Sequence, residues 1–186
     1  KAAEVDPEIR RVTEAERITI NGVEYDNIYQ ILKKIKKNRT AWHDLYTYQS
    51  SGVVHGDMIL DNLLYSRADS NVIIIDPAPD GNIIEGPVFD FGKAAQSLYC
   101  GYEFLLRDES CVEYKNNEIV FSESKSLRFS ELDIFMRDTL AKQYLTEGER
   151  RAILFHAGAL FLRRLKHQVN YTPDNVLKFY GVGVRT

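Results

Sequence analysis

The apolar and polar positions of the chain alternate in three places with the two-residue period of a β-strand. Each place contains two short apolar runs around a polar turn, as expected of a hairpin. The paired runs are residues 18–20 and 23–25, residues 63–65 and 72–75, and residues 111–114 and 118–121. The first turn is Asn21-Gly22, a dipeptide that tolerates the positive φ angles of a tight hairpin.

Most of the remaining chain has apolar residues at the spacing of helices. The predicted helices run from an Asp26 or Asn27 cap to Lys37, from Ala41 to Gln49, from Val88 to Leu106, from a Ser130 cap to Tyr144, from a Thr146–Glu149 capping box to His167, and from Pro173 to near Gly181. Residues 1–17 are highly charged and indicate a solvated helix or a frayed lead-in. The sequence therefore predicts an α+β fold, mainly α, in a single domain over residues 1–186.

Composition and charge predict no nucleic-acid partner and no membrane partner. The chain has 186 residues, a net charge of -3 and 44% apolar residues, so it has no strong field to attract polyanions. No apolar run reaches the eighteen or so residues of a membrane span, and no secretory signal opens the chain. Two cysteines, Cys100 and Cys111, are too few for a disulfide framework, so we expect reduced thiols in a cytoplasmic protein.

The residues with the clearest chemistry lie between positions 53 and 76. His55-Gly56-Asp57 is followed by Asn62, and the second strand of the next hairpin leads into Asp76. Phosphoryl transfer needs an aligned acceptor hydroxyl and a metal ion between the phosphates. Asp57 can accept the hydrogen bond of the hydroxyl, and the oxygens of Asn62 and Asp76 suit Mg²⁺. Each residue type alone is common in turns, but their order predicts a site for phosphoryl transfer.

Strand alternation adds a candidate surface for the nucleotide base. If Asn62 points into the site, Leu64 points the same way two residues later. Ile75, directly before Asp76, is a second candidate. The alternative is that Leu64 and Ile75 are ordinary core residues.

These residues resemble the aminoglycoside phosphotransferase and choline kinase superfamily, over roughly residues 53–99. The resemblance is carried by His55-Gly56-Asp57, by Asn62, and by Ile-Ile-Asp-Pro at 74–77. It implies the C-terminal lobe of a protein-kinase-like fold that uses ATP or GTP with Mg²⁺. It also implies Asp57 as the catalytic base, Asn62 and Asp76 as metal and nucleotide ligands, and His55 as the residue that braces the loop. Residues 89–98 are most similar to members of bacterial sugar or capsule metabolism.

A second aspartate competes for the metal. Asp90-Phe91-Gly92 has the spelling of the protein-kinase metal motif, but it lies 28 residues after Asn62, whereas Asp76 lies 14 residues after it. The shorter interval matches the superfamily, so we assign the metal to Asp76. Asp90 is then expected to cap the next helix and to brace the catalytic loop.

The N-terminal lobe of a kinase-like fold is not recognisable in this sequence. Residues 1–52 predict a lead-in hairpin and helices without a glycine-rich loop; residues 53–92 hold the catalytic and metal loops, and residues 93–186 form a helical body. We therefore expect a C-terminal lobe that lacks its N-terminal lobe and is inactive alone. The predicted activity is transfer to a hydroxyl of a small molecule: a sugar, an amino alcohol or an aminoglycoside. The alternative is a non-catalytic kinase-like binding module that acts through protein association.

Overall fold

The computed structural model describes residues 7–50, 54–79, 86–107, 112–124, 126–168 and 173–186. The helices are α1 (Pro7–Glu14), α2 (Ile28–Lys37), α3 (Arg39–Tyr46), α4 (Pro87–Leu98), α5 (Tyr102–Arg107), α6 (Leu127–Phe135), α7 (Ala141–Tyr144), α8 (Glu147–Gln168) and α9 (Pro173–Arg185). The strands are β1 (Arg17–Ile20), β2 (Val23–Asp26), β3 (Leu63–Ser66), β4 (Asn71–Ile74), β5 (Glu113–Lys115) and β6 (Glu118–Val120). The protein is α+β and mainly helical, as predicted.

The first and third predicted hairpins join into one sheet of four strands in the order β2-β1-β6-β5. Both hairpins are antiparallel, and β1 pairs with β6 in parallel through Thr19 opposite Glu118 and Ile20 opposite Ile119. The turn residues Asn21 and Gly22 have φ angles of 48° and 80°, as the Asn-Gly dipeptide predicts. Ile20 and Ile119 are buried, so the sheet presents one face to the core.

The long helix α8 is the centre of the helical body and packs against both α4 and α9. The approach to α4 is close at Gly92, where an added Cβ would lie 2.9 Å from the Cβ of His156. The approach to α9 is close at Gly158, where an added Cβ would lie 2.8 Å from the carbonyl oxygen of Gly183. Small residues therefore allow the helix backbones to approach at both contacts.

The single helix predicted over Val88–Leu106 is wrong. The chain forms α4 and α5 instead, because Gly101 between them has a φ of 70°. Glycine adopts this left-handed conformation without the steric cost of a Cβ and commonly ends a helix.

Three other predicted helix boundaries are also wrong. Ser130 is not a cap: α6 begins at Leu127, and the Ser130 hydroxyl donates to the carbonyl of Ser126. The last helix continues past Gly181 to Arg185, and α3 ends at Tyr46, which leaves Gln49 outside the helix. A π-helical stretch, Met136–Leu140, joins α6 to α7.

The predicted lead-in, where it is described, is packed and not simply solvated. Ile9 and Val12 of α1 are buried and belong to the main core. Residues 1–6 lie outside the described residues.

The hairpin of β3 and β4 is a separate two-stranded sheet with exposed apolar side chains. Its register pairs Leu63 with Ile74 and Leu64 with Ile73. The large exposed apolar residues on it are Leu64, Tyr65, Val72, Ile73 and Ile74. An isolated two-stranded hairpin is only marginally stable in water, so this exposed apolar surface favours contact with another element.

The sequence also predicts two reduced cysteines and the absence of a membrane span. Among the described helices, none is long and apolar enough to cross a membrane. Cys100 is buried, with its Sγ 3.5 Å from the Thr186 hydroxyl, whereas Cys111 lies outside the described residues.

Candidate functional site

The turn that carries Asp57 is hydrogen-bonded to Asp90 of α4. The two carboxylate oxygens of Asp90 accept hydrogen bonds from the backbone N–H groups of His55 and Gly56, each at 2.7 Å. Gly56 has a φ of 77°, a conformation that glycine permits. Asp90 lies inside α4, whose N-cap is Gly86, so the predicted capping role is wrong while its contacts brace the loop.

The end of the β3–β4 hairpin is hydrogen-bonded to the same turn. The His55 Nε2 lies 2.9 Å from the carbonyl oxygen of Ile75, and the Ala78 N–H donates to the carbonyl of His55 at 2.9 Å. The Ile75 N–H donates to the carbonyl of Asn62 at 3.0 Å. These three contacts bring the backbone on both sides of Asp76 against the loop that carries Asp57 and Asn62.

Asn62 is buried at the end of a short 3₁₀ turn that precedes β3. Its Nδ2 donates to the backbone carbonyl of Asp57 at 2.8 Å and lies 3.4 Å from the Asp57 Oδ2. Since the amide nitrogen is used to hold the loop, the amide oxygen is the atom that can bind a cation. Asp57 and Asn62 are therefore linked by a direct hydrogen bond.

Asp76 follows β4 directly and is exposed, with a φ of 54°. Aspartate is among the few non-glycine residues that adopt this left-handed conformation readily. Its backbone lies beside Asn62 through the Ile75 contact, and its carboxylate is not enclosed by the helical body. An exposed carboxylate next in sequence to a residue that is hydrogen-bonded to Asn62 is compatible with Mg²⁺, which takes few protein ligands and keeps several waters.

The two residues proposed to contact the nucleotide base differ in exposure. Leu64 is 49% exposed on β3, and Ile75 is half-buried after β4. Leu64 is therefore not a core residue, which was the alternative to its proposed role. Its side chain provides apolar surface next to the turn that carries Asn62.

Lys93 is a site residue that the sequence reasoning missed. Its Nζ lies 2.8 Å from the Oδ1 of Asp57. Lys93 is on α4, one turn after Asp90. The signal for it was this spacing, because residues three apart lie on the same face of a helix.

A buried polar pair supports the loop from the α4–α5 side. The Leu60 N–H donates to the Ser97 hydroxyl at 3.1 Å, and that hydroxyl donates to the Glu103 Oε1 at 2.6 Å. Ser97 and Glu103 are both buried. The loop from Asp57 to Asn62 is thus fixed at its middle as well as at both ends.

The predicted metal ligands, Asn62 and Asp76, are two residues and not a cluster of acidic or histidine side chains. In the part of the chain that the structure describes, no group of three or more His, Cys, Asp or Glu side chains could hold a metal ion. A groove of about 680 Å³ lined by Arg39, His43, Asp44 and Arg151 contains none of the predicted site residues. The candidate site is instead the open surface between the Asp57 loop and the β3–β4 hairpin.

Comparison with known protein families, with curated proteins and with solved structures found no match to this chain. We therefore infer the function from the fold class and from the geometry of the candidate site.

Replacing Asp90 with asparagine is expected to lower the free energy of unfolding by about 2 kcal/mol. The amide keeps one acceptor oxygen, but its NH₂ group then faces a backbone N–H donor of the loop. Urea denaturation followed by circular dichroism measures the change. Asp61→Asn is the control, since the Asp61–Arg107 pair is exposed and 3.4 Å long and such pairs contribute little. Equal losses in the two variants would contradict the bracing role of Asp90.

Proposed function

We propose that the chain is the C-terminal lobe of a nucleotide- and Mg²⁺-dependent phosphotransferase that acts on a hydroxyl group of a small molecule. Asp57 is the catalytic base, His55 holds its loop, and Asn62 with Asp76 holds the metal. Leu64 and Ile75 contact the base of ATP or GTP. A sugar, an amino alcohol or an aminoglycoside supplies the hydroxyl.

The observation that carries the proposal is the hydrogen-bonded junction between the hairpin and the loop. The His55 ring contacts the carbonyl of Ile75 and the His55 carbonyl accepts from the Ala78 N–H, so the two contacts flank Asp76. The Ile75 N–H donates to the carbonyl of Asn62. Residues 14 positions apart are thereby brought to one surface together with Asp57. Turn formation alone would not require a histidine ring to bridge the loop and the end of the hairpin.

Phosphoryl transfer requires little covalent chemistry from the protein, so Asp57, Asn62 and Asp76 are sufficient for the proposed roles. The Asp57 carboxylate accepts a hydrogen bond from the acceptor hydroxyl and so aligns its oxygen with the terminal phosphorus of the nucleotide. The new oxygen–phosphorus bond forms as the bond to the bridging oxygen breaks, the nucleoside diphosphate leaves, and the hydroxyl proton passes to Asp57. Mg²⁺ held by Asn62 and Asp76 supplies neutralisation of phosphate charge.

The exposed apolar surface of the β3–β4 hairpin indicates that another part of the protein or a ligand covers it. Leu64, Ile73 and Ile74 are each 49% exposed, and apolar surface of this extent favours burial against a partner. A nucleotide with an N-terminal lobe above it would cover this hairpin. We expect the chain alone to bind nucleotide weakly for the same reason.

Replacing Asp76 with asparagine is expected to weaken binding of Mg-ATP by on the order of tenfold or more, because the anionic metal ligand is lost. Asparagine is chosen because it also tolerates the left-handed backbone of Asp76, whereas alanine would add strain. Isothermal titration with ATP and with GTP, each with Mg²⁺ and with EDTA, measures the change.

Asp69→Asn is the matched control for this measurement. Asp69 lies in the turn of the same hairpin, where its carboxylate accepts a hydrogen bond from the Ser66 hydroxyl, and asparagine preserves turn chemistry. We expect its affinity for Mg-ATP to equal that of the unmodified chain. Nucleotide binding that is unaffected by EDTA and by Asp76→Asn would contradict the proposed metal site.

The competing function is a non-catalytic kinase-like module that acts through protein association. The exposed apolar hairpin favours it, because such a surface also fits a protein partner. The two functions differ in their need for metal. When the N-terminal lobe is present, binding of ATP or GTP without a need for Mg²⁺, or no binding at all, would favour the binding module and reject the phosphotransferase.

A further inference from the structure

Lys93 contacts the proposed catalytic base from the helix below it. The Lys93 Nζ and Asp57 Oδ1 are 2.8 Å apart, and the side chains are only 15% and 33% exposed. Partial burial distinguishes this pair from a surface ion pair such as Asp61–Arg107, whose side chains are 51% and 72% exposed. An ion pair that is sheltered from water has a stronger and more geometrically defined interaction.

Helix α4 holds the Asp57 turn through two residues one turn apart. Asp90 fixes the backbone at His55 and Gly56, and Lys93 fixes the carboxylate that follows. The two contacts have different consequences, because a backbone contact alone leaves the two side-chain torsions of Asp57 free. Of the two contacts from α4, the one from Lys93 is the one that orients the carboxylate, and it is shorter than the 3.4 Å contact of the Asn62 amide to Oδ2.

The two oxygens of Asp57 are not equivalent in this arrangement. Oδ1 is bound to the Lys93 ammonium at 2.8 Å. Oδ2 has a contact to the Asn62 amide nitrogen at 3.4 Å, which is longer than an ordinary N–H···O bond. Oδ2 is therefore the oxygen with capacity to accept a hydrogen bond from an incoming hydroxyl.

We propose that Lys93 is a positioning residue, which binds Oδ1 of Asp57 so that Oδ2 faces the acceptor hydroxyl. This role rests on the proposed phosphotransferase function. It acts through Asp57 and predicts an effect on the transfer step and not on nucleotide affinity. The reason is that Asn62 and Asp76 are proposed to hold the nucleotide, whereas the ion pair of Lys93 in the described residues is with Asp57.

Two variants test the role of Lys93. Lys93→Met keeps the length of the side chain and removes its charge, and Lys93→Arg keeps the charge. The kinetic assay uses the protein together with the N-terminal lobe that the proposed function requires, because the chain alone is expected to be inactive. With Mg-ATP and a panel of sugars, amino alcohols and aminoglycosides, Lys93→Met is expected to lower kcat for formation of ADP by on the order of 100-fold, as misplacement of a catalytic group does. KM for Mg-ATP should stay within about twofold, and Lys93→Arg should recover much of the loss. Lys142→Met, an exposed lysine on α7, is the control for charge.

A second readout does not depend on turnover. The side-chain carboxyl ¹³C signal of Asp57, assigned with Asp57→Asn in aspartate-labelled protein, is compared at one neutral pH. We expect it to move in Lys93→Met, to return towards its position in Lys93→Arg and to stay unchanged in Lys142→Met. An Asp57 signal that is identical in Lys93→Met and the unmodified chain overturns the role of Lys93, as does an unchanged kcat. Failure of the unmodified protein to bind Mg-ATP when its N-terminal lobe is present overturns the phosphotransferase instead, so the two failures are distinguishable.

Discussion

Replacing Glu149 with alanine is expected to lower the free energy of unfolding by about 3 kcal/mol. Glu149 is 1% exposed. Its carboxylate accepts hydrogen bonds from the N–H and side-chain amide of Gln49 at 2.8 and 3.0 Å, and from the N–H and hydroxyl of Thr146 at 2.8 and 2.7 Å. Alanine removes the buried carboxylate that all four donors share; the hydrogen bonds are part-buried, and bonds to a charged group contribute more than neutral ones.

The matched control is Glu147→Ala in the same first turn of α8. Glu147 is exposed and pairs with Arg151 one turn later, and such pairs contribute about 0.5 kcal/mol or less. Urea denaturation at pH 7 measures both variants, and Glu149→Gln should lie between them because it keeps one acceptor oxygen. Similar losses for Glu149→Ala and Glu147→Ala would contradict the buried role of Glu149.

The contribution of Glu149 should also depend on pH. Burial alone would raise the pKa of Glu149, but the hydrogen bonds from Gln49 and Thr146 outweigh it and lower the pKa below the ordinary value of 4.5. The unfolded chain therefore binds a proton at higher pH than the folded chain does. The stabilisation is complete above pH 4.5 and is lost as the pH falls below it.

Replacing His156 with leucine is expected to remove up to about 3 kcal/mol of acid destabilisation between pH 6.5 and pH 4. Burial lowers the pKa of His156 from 6.5 to about 4, and its Nε2 is buried without a hydrogen-bond partner. The folded protein keeps the ring neutral, whereas the unfolded chain protonates it below pH 6.5. Stability is therefore fully present above pH 6.5 and decreases as the pH falls towards 4.

The measurement is the free energy of unfolding of each variant from pH 7 to pH 4. We expect a flatter pH profile for His156→Leu than for the unmodified chain. The control is Ile153→Val, because Ile153 is buried on the same helix and carries no titratable group, so its loss of stability should be the same at every pH. A profile of His156→Leu parallel to that of the unmodified chain would contradict the neutral buried ring. Between pH 6.5 and pH 4.5 the expected loss of stability comes from His156, whereas the loss from Glu149 begins below pH 4.5, so the two effects can be measured separately.

Local sequence signals predicted the elements whose geometry is decided within a few residues. Asn21-Gly22 forms the first turn because both residues tolerate positive φ, and Thr146 and Glu149 form the capping box through reciprocal bonds. The helix through Gly101 was mispredicted although the signal was present, since a glycine at a helix end commonly adopts the left-handed conformation. Ser130 has a residue type that favours caps, but it lies inside α6.

Contacts between distant residues were not predictable from the local pattern. The order of Asp57, Asn62 and Asp76 gave the candidate site, because a hairpin returns the chain to its starting point. The pairing of Lys93 with Asp57 depends on how α4 packs beneath the loop. The extension of α9 past Gly181 depends on α8, where Gly183 and Gly158 approach closely. Glycine disfavours an isolated helix but permits this packing.

The parallel pairing of β1 with β6 has a consequence for the order in which the molecule assembles. Thr19 pairs with Glu118, so the sheet closes a loop of roughly a hundred residues, and closing such a loop carries an entropic cost. On the ribosome, the first hairpin has no sheet to join until the third hairpin has emerged. Contacts of this range slow folding, and we expect the N-terminal hairpin to become protected from hydrogen exchange late, together with β5 and β6.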